Sequence, residues 1–378
     1  MSKPESTHAH HPGHAVPRFA SWLAEREMPV VDESGVTFLY QGAADRVFLR
    51  HWIYGLPANL EMHRVGDSEI WARTLRFPEG SRIEYKFGVV RNQHEQWIHD
   101  PKNPRVAMDP FGGNSVVYGP GYQIPTWASA SPEIPHGTLH EVPIASRAFG
   151  DRRLVRVYVP AGYRTYRRYR LLIVHDGDDY VRYSSLLTVL DNLIQRLEIP
   201  PLVVALSNPH QRLVEYAGDP RQADHIVHEL LPELQQRYSL IQEASGRCVM
   251  GASFGGVAAL STAWRHPGTF DHLILQSGSF AFTDIGEHNR SPVFDPVVAF
   301  MNEFRQRPGL PAKRIFVSCG VYESLIYENR SLVPFLQSRG IEVNFAEARD
   351  GHNWENWRDR LRDGLSWTFP GPLWVTYM

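Results

Sequence analysis

Gly251-Ala252-Ser253-Phe254-Gly255 has the G-x-S-x-G spacing of a nucleophile elbow. Arg247-Cys248-Val249-Met250 before it suits a short buried strand, and the small residues from Gly256 to Arg265 suit a helix. A strand, a sharp turn and a helix raise the Ser253 hydroxyl above a sheet. The glycines keep the turn clear, since larger side chains there would collide with strand and helix. The chemistry on offer is nucleophilic attack on an acyl carbon. The competing reading is an ordinary serine in a glycine-rich turn, and the rest of the chain has to decide between them.

A serine hydroxyl is a poor nucleophile at neutral pH. It needs a base to take its proton and a third group to orient that base. Where such an elbow occurs, the chain order is serine, acid, histidine. Asp350-Gly351-His352-Asn353-Trp354 follows a strand near residues 343–346 and precedes a helix, so His352 is the candidate base. The other downstream histidines fit less well: His266 is at a helix end, His272 enters a strand, and His288 lies in a polar loop. The acid is expected after the preceding strand, where Val317-Ser318-Cys319-Gly320-Val321-Tyr322-Glu323 offers Glu323. Glu328 is the runner-up, and Asp350 stands too close to His352 in sequence. A solvated loop carboxylate is the plain alternative for Glu323. Two backbone N–H groups must meet the developing oxyanion, each typically contributing about 2.7–4 kcal/mol. One is that of Phe254, after the nucleophile. The other is expected from Gly177 or Asp178, in the turn Val174-His175-Asp176-Gly177-Asp178-Asp179 after an early strand. His175 and Asp176 admit a metal reading, but no further ligand cluster accompanies them, and no metal site is expected.

These residues need a scaffold. From about residue 137 onward, short apolar runs alternate with helical stretches. The runs are Leu154 to Val159, Arg170 to Val174, Leu202 to Leu206, Leu273 to Leu275, Arg314 to Ser318 and Val343 to Phe345; the helical stretches include Ala223 to Arg237 and Leu332 to Ser338. That alternation predicts a mostly parallel sheet covered on both faces, with its chemistry at the carboxyl ends of the strands. Residues 36–118 read differently. Val47 to Trp52, Ile70 to Phe77 and Arg82 to Val90 are strand-like, separated by turns such as Gly66-Asp67 and Pro78-Glu79-Gly80. This predicts a β-sandwich. The predicted division is a flexible segment over 1–30, the sandwich over 31–121, a proline-containing linker over 122–136 and the α/β unit over 137–378. No internal repeat is evident.

The length of 378 residues suits two domains, and the net charge of −2 sets up no field of one sign. Nucleic acid and anionic membrane are therefore not expected partners. The only cysteines, Cys248 and Cys319, sit in apolar segments and read as reduced, buried thiols. No apolar run approaches the roughly 20 residues of a membrane span, and the polar first 17 residues lack a signal core. A cytoplasmic enzyme is expected. His8, His10, His11 and His14 read as a disordered tail in preference to a metal site.

Taken together, the chain resembles the esterase D group of α/β-hydrolases, particularly the enterochelin (ferric-siderophore) esterases and their feruloyl-esterase relatives. The resemblance rests on His175-Asp176-Gly177, Ser207-Asn208-Pro209 with Arg212 and Glu215-Tyr216, Leu230-Leu231-Pro232-Glu233-Leu234 with Tyr238, Gly251 to Gly256, Gly320-Val321-Tyr322-Glu323 and Gly351-His352-Asn353-Trp354. It spans residues 137–369 and is specific for the family, not for the substrate. It implies an α/β-hydrolase fold, a Ser253–His352–Glu323 triad, Gly177 and Phe254 as oxyanion donors, and no cofactor. Residues 31–121 resemble an immunoglobulin-like early-set domain, through Trp71, Tyr85-Lys86-Phe87, Trp97-Ile98-His99-Asp100-Pro101 and Asn103-Pro104. Trp71 and Trp97 could stack on sugar rings or serve as core. The early-set surface leaves a homodimer open. The substrate expected is a small siderophore-like trilactone or related aromatic ester, with Arg212, Tyr322 and Trp354 lining its pocket, joined by Arg290 or Arg330, and residues 280–291 roofing it. A carbohydrate ester, acyl transfer to an alcohol and a non-catalytic carbohydrate-binding role are the alternatives.

Overall fold

A computed structural model describes residues 27–33, 35–283 and 288–373. The tail histidines His8 to His14 and part of the expected roof lie outside the described residues. Two compact units result. The first takes the described residues up to Trp52 with Leu56–Ala107 and Gly113–Tyr122; the second takes Ile53–Gly55, Met108–Gly112 and the chain from Gln123.

The first unit is a β-sandwich. In one sheet the strands Val30–Asp32, Gly35–Gln41, Ile70–Leu75 and His63–Arg64 lie in that order. The other sheet has six strands, centred on the long strand Arg82–Arg91, which pairs with Arg46–His51, Gly112–Tyr118 and His94–Ile98. Alternate side chains point inward. Phe38 thus meets Tyr85 edge to face at 4.8 Å between centroids, and Tyr40 meets Phe87 at 5.7 Å. The buried Tyr85 hydroxyl donates to Asp100 Oδ2 (2.7 Å) and accepts from Asn103 Nδ2 (3.0 Å). These two residues were read as family marks; here they satisfy a core phenol. Trp71 is core, whereas Trp97 is about half exposed under the Arg50 guanidinium.

The second unit is built on an eight-stranded sheet: β1 (Thr138–Ser146), β2 (Asp151–Val159), β3 (Arg170–His175), β4 (Leu202–Ser207), β5 (Arg247–Ala252), β6 (His272–Gln276), β7 (Arg314–Gly320) and β8 (Glu342–Ala348). The spatial order is β1-β2-β4-β3-β5-β6-β7-β8. All pairings from β4 to β8 are parallel, and the hairpin β1–β2 joins antiparallel. The strands read as continuous apolar runs because both faces are covered. Leu172, Val174, Val204, Leu206, Cys248 and Met250 face a layer containing α1 (Gly177–Tyr183), α2 (Leu186–Gln195) and α8 (Trp354–Thr368). Leu171, Ile173, Val203, Ala205 and Val249 face the opposite layer. That layer holds α3 (Pro220–Asp224), α4 (Leu231–Arg237), α5 (Phe254–Arg265), α6 (Asp295–Gln306) and α7 (Ile326–Gln337).

Three differences from the sequence reading have physical causes. β1 was not singled out because it is an edge strand carrying Pro143, with only alternate residues buried. The helix expected over 223–237 forms without a break, but its middle, His225–Leu230, is a π-helical turn between α3 and α4. Pro232 near the start of α4 cannot donate to a preceding carbonyl, and the wider turn accommodates it. The expected linker packs on α2: Trp127 is buried, and Asn192 Nδ2 donates to the carbonyls of Trp127 (2.7 Å) and Ser129 (2.9 Å). Cys248 and Cys319 are free and buried, on β5 and β7. No helix among the described residues is long and apolar enough to cross a membrane.

Candidate active site

The carboxyl ends of β3, β5, β6, β7 and β8 converge on one rim. Asp176, Ser253 and Ser277 each stand immediately after a strand, and each adopts a positive φ, of 55°, 57° and 46°. Non-glycine residues rarely hold this conformation, and it clusters at functional sites. Ser253, at φ 57° and ψ −123°, is the N-cap of α5, as an elbow requires. The elbow closes because Gly251 has no side chain: a Cβ there would stand 2.2 Å from the Gly255 carbonyl oxygen. The Ser253 N–H donates to the Gln276 carbonyl at 2.9 Å, tying the turn to β6. Its Oγ lies 3.2 Å from Ser279 Oγ.

Glu323, just past β7, is almost wholly buried, and its carboxylate is held from three directions. Its Oε1 accepts from Ser277 Oγ and from the Gly320 N–H, both at 2.6 Å. Its Oε2 lies 2.5 Å from His352 Nδ1, whose N–H donates. Burial pushes the Glu323 pKa up, but the neighbouring His352 charge and these hydrogen bonds outweigh it, and the net direction is down. The carboxylate therefore remains an acceptor. His352 packs its ring edge to face on Trp357 at 5.1 Å, and Trp357 Nε1 donates to Ser277 Oγ at 2.9 Å. The result is a chain of contacts, Trp357–Ser277–Glu323–His352, that fixes one imidazole nitrogen and leaves Nε2 available.

Glu328 serves elsewhere, accepting from Arg290 Nε at 3.0 Å. Asp350 shapes the loop by accepting from the Gly351 N–H (2.7 Å) and Asn353 Nδ2 (2.8 Å). Among the described residues His352 is brought to Glu323, and Ser253 stands on the same rim with its hydroxyl turned toward Ser279.

The oxyanion donors require one correction. The Asp178 N–H already donates to Asn208 Oδ1 at 3.0 Å, and its carboxylate holds Arg156. That leaves the N–H groups of Gly177 and Phe254, the first residues of α1 and α5. First-turn N–H groups have no partner within the helix, so both are open to an anion.

Two expected pocket residues are held by neighbours within the fold. Arg212 is committed to Asp176, with Nε 3.0 Å from both carboxylate oxygens and Nη2 2.8 Å from Oδ2. It braces the strained turn before Gly177. Arg290 and Arg330 likewise have carboxylate partners, Glu328 and Glu347. Trp354 is buried against Tyr180, Tyr183 and Trp357, and its carbonyl accepts from Ser184 Oγ. Tyr322 is half-buried beside Glu323, its N–H donating to the Asp350 carbonyl at 3.1 Å. The residues not foreseen were Ser277, Ser279 and Trp357. The Ser277-Gly278-Ser279 turn after β6 was the available signal.

The Esterase family model (“Putative esterase”) matches residues 146–368, more than half of the chain. The chain belongs to this esterase family. It is a carboxylic ester hydrolase with an enterochelin-esterase-like fold. The iron(III) enterobactin esterase of Escherichia coli O6:H1 is 22% identical over 80% of this chain and 80% of its own length. The solved enterobactin esterase of Shigella flexneri, crystallised in the presence of enterobactin, superposes with a TM-score of 0.75 at 21% identity, covering 95% of this chain and 98% of that one. The ferulic acid esterase of Anaeromyces mucronatus covers 64% of this chain and 95% of its own, with a TM-score of 0.52 at 14% identity. The esterase α/β fold is thus shared with both, and the added β-sandwich with the enterobactin enzyme's longer match.

Proposed function

We propose that this esterase hydrolyses a siderophore trilactone or a closely related aromatic ester through an acyl-enzyme on Ser253. The observation that carries the mechanism is the buried Glu323 carboxylate bonded to His352 Nδ1, on the rim that also bears the strained Ser253 elbow. The siderophore reading is supported by the likeness to enterobactin esterases over both units' length.

Ser253 Oγ attacks the ester carbonyl carbon while His352 Nε2 takes its proton. A side-chain rotation of Ser253 away from Ser279 makes that contact; such bonds commonly tighten only with substrate bound. The carbonyl oxygen becomes an oxyanion facing the Gly177 and Phe254 N–H groups. Glu323 holds His352 Nδ1–H and stabilises the imidazolium. Collapse breaks the ester C–O bond, and the alkoxide leaves with the proton from His352. Water, deprotonated by the same imidazole, then attacks the acyl-enzyme. The acid is released and Ser253 restored.

We also read the enzyme as cytoplasmic, a setting in which buried reduced thiols are ordinary.

The test is a side-by-side comparison of kcat/KM on iron(III) enterobactin, methyl ferulate and acetylated sugars, with fluorophosphonate labelling of the wild type and Ser253→Ala. The trilactone should be preferred, with labelling lost in the variant. Preference for ferulate or acetylated sugar by tenfold or more would favour the carbohydrate-ester reading. Labelling that persists in Ser253→Ala would remove the nucleophile.

A further inference from the structure

At the far end of α5, three side chains with metal-binding chemistry converge. Asp224 ends α3, His228 lies one turn on within the π-helical turn, and His266 is the first residue past α5. Asp224 Oδ1 and His266 Nε2 are 3.0 Å apart. The His228 and His266 rings meet edge to face with centroids 4.8 Å apart. One donor atom from each of the three residues lies within 4.8 Å of the other two. The π turn creates the arrangement. It sends His225 inward, where Nδ1 meets Glu229 Oε2 at 2.7 Å, and leaves His228 exposed beside Asp224.

One carboxylate and two imidazoles form a donor set suited to zinc. With bonds of about 2.0–2.1 Å, neighbouring donors around a tetrahedral zinc stand about 3.3 Å apart. The Asp224–His266 separation is within a few tenths of an ångström of that. His228 needs to approach by about 1–1.5 Å, which an exposed side chain achieves by rotation.

We propose that Asp224, His228 and His266 bind one zinc ion, with water completing the coordination, and that the ion ties the helical segment ahead of α4 to the C-terminal end of α5. α5 spans Phe254–Arg265, so the ion would sit about 18 Å along the helix from Ser253. Its role is structural: it anchors the helix whose other end presents the nucleophile. This revises the expectation of no metal site. Asp224 and His266 are 42 residues apart, and no short ligand spacing advertises them.

The rival explanation is an Asp–His ion pair with a neighbouring imidazole. The two are separated by titrating the metal-stripped full chain with Zn²⁺ by calorimetry and with Co²⁺ by visible absorption. His8, His10, His11 and His14 offer competing donors, so the parent carries alanine at those four positions. One equivalent should bind, with Co²⁺ bands of four-coordinate intensity, and zinc should raise Tm by several degrees. His228→Ala and Asp224→Asn alter exposed side chains. Each should raise Kd at least tenfold and abolish the Tm shift, with kcat/KM unchanged. Binding by the parent and by His228→Ala with equal affinity would overturn the proposal. So would stoichiometric binding that vanishes when only the tail histidines are replaced.

Discussion

One contact separates the two candidate acids. Glu323 reaches His352, while the other nearby glutamate, Glu328, is spent on Arg290. Glu323→Gln keeps the side chain's shape but presents the imidazole with a neutral group. By analogy with a triad acid made into its amide, kcat should fall by about 10²–10⁴ with the fold intact. Glu328→Gln should leave kcat within a few-fold, and steady-state kinetics on any accepted ester will decide between them. If the losses are reversed, the assignment moves to Glu328. Ser279 gives a second check at this scale. Its hydroxyl parks the Ser253 hydroxyl in the free enzyme, and nothing in the proposed chemistry needs it. Ser279→Ala should therefore retain kcat/KM within about threefold, whereas a loss comparable to that of Ser253→Ala would make it part of the machinery. Ser253, His352 and Glu323 could be proposed from the sequence because each stands a short step beyond a strand end, and the structure brings the last two into contact. Ser279 could not, because its part depends on which way a neighbouring hydroxyl turns.

Elements place these residues through close backbone approaches and one buried ion pair. A Cβ on Gly320 would stand 2.3 Å from the Asp350 carbonyl oxygen, where the loop carrying the acid crosses the loop carrying the base. Gly320→Ala must push those loops apart. A loss of about 1–3 kcal/mol in unfolding free energy is expected, with a fall in kcat larger than in Glu328→Gln. Unchanged stability would mean the crossing is softer than its geometry implies. The Asp176–Arg212 pair makes a sharper case. Read from sequence, Arg212 is a cation for the substrate, and its loss should mainly raise KM. In the structure it neutralises a buried aspartate beside Gly177, the proposed oxyanion donor. Arg212→Ala should then cost about 2–4 kcal/mol of stability and act on kcat more than on KM. Denaturant melts and Michaelis curves on the same variant separate the two readings. The pair itself could not be read from sequence: the partner lies 36 residues away on another strand end, and sequence shows a charge without its counter-charge. Trp354 misled for a related reason. The helix was foreseen, but not the face it turns to the α1 layer.

At the scale of the molecule, a mostly parallel sheet wrapped by helices was readable because an apolar run buried on both faces has few other uses. The same burial stores a pH dependence that sequence could not reveal. His175 ends β3 and is fully buried against the Tyr216 ring at 4.8 Å, and neither ring nitrogen has a hydrogen-bond partner. Burial, followed by the positive charges of His225 and Arg212, drives its pKa from 6.5 down to about 3. The folded state therefore holds this ring neutral where the unfolded chain protonates it. The sign follows: the unfolded chain binds the extra proton between those two values, so stability is full above pH 6.5 and falls with decreasing pH. The fall is about 1.4 kcal/mol per pH unit, until the folded form protonates near pH 3. A leucine removes the titrating group and leaves no partner unsatisfied. His175→Leu should match or exceed the wild type at pH 7.5 and lose less stability on acidification, by about 2–3 kcal/mol at pH 4.5. Urea unfolding of both proteins at pH 7.5, 6 and 4.5 measures the difference. Parallel curves would show that the ring finds its proton inside the fold and that acid lability arises elsewhere.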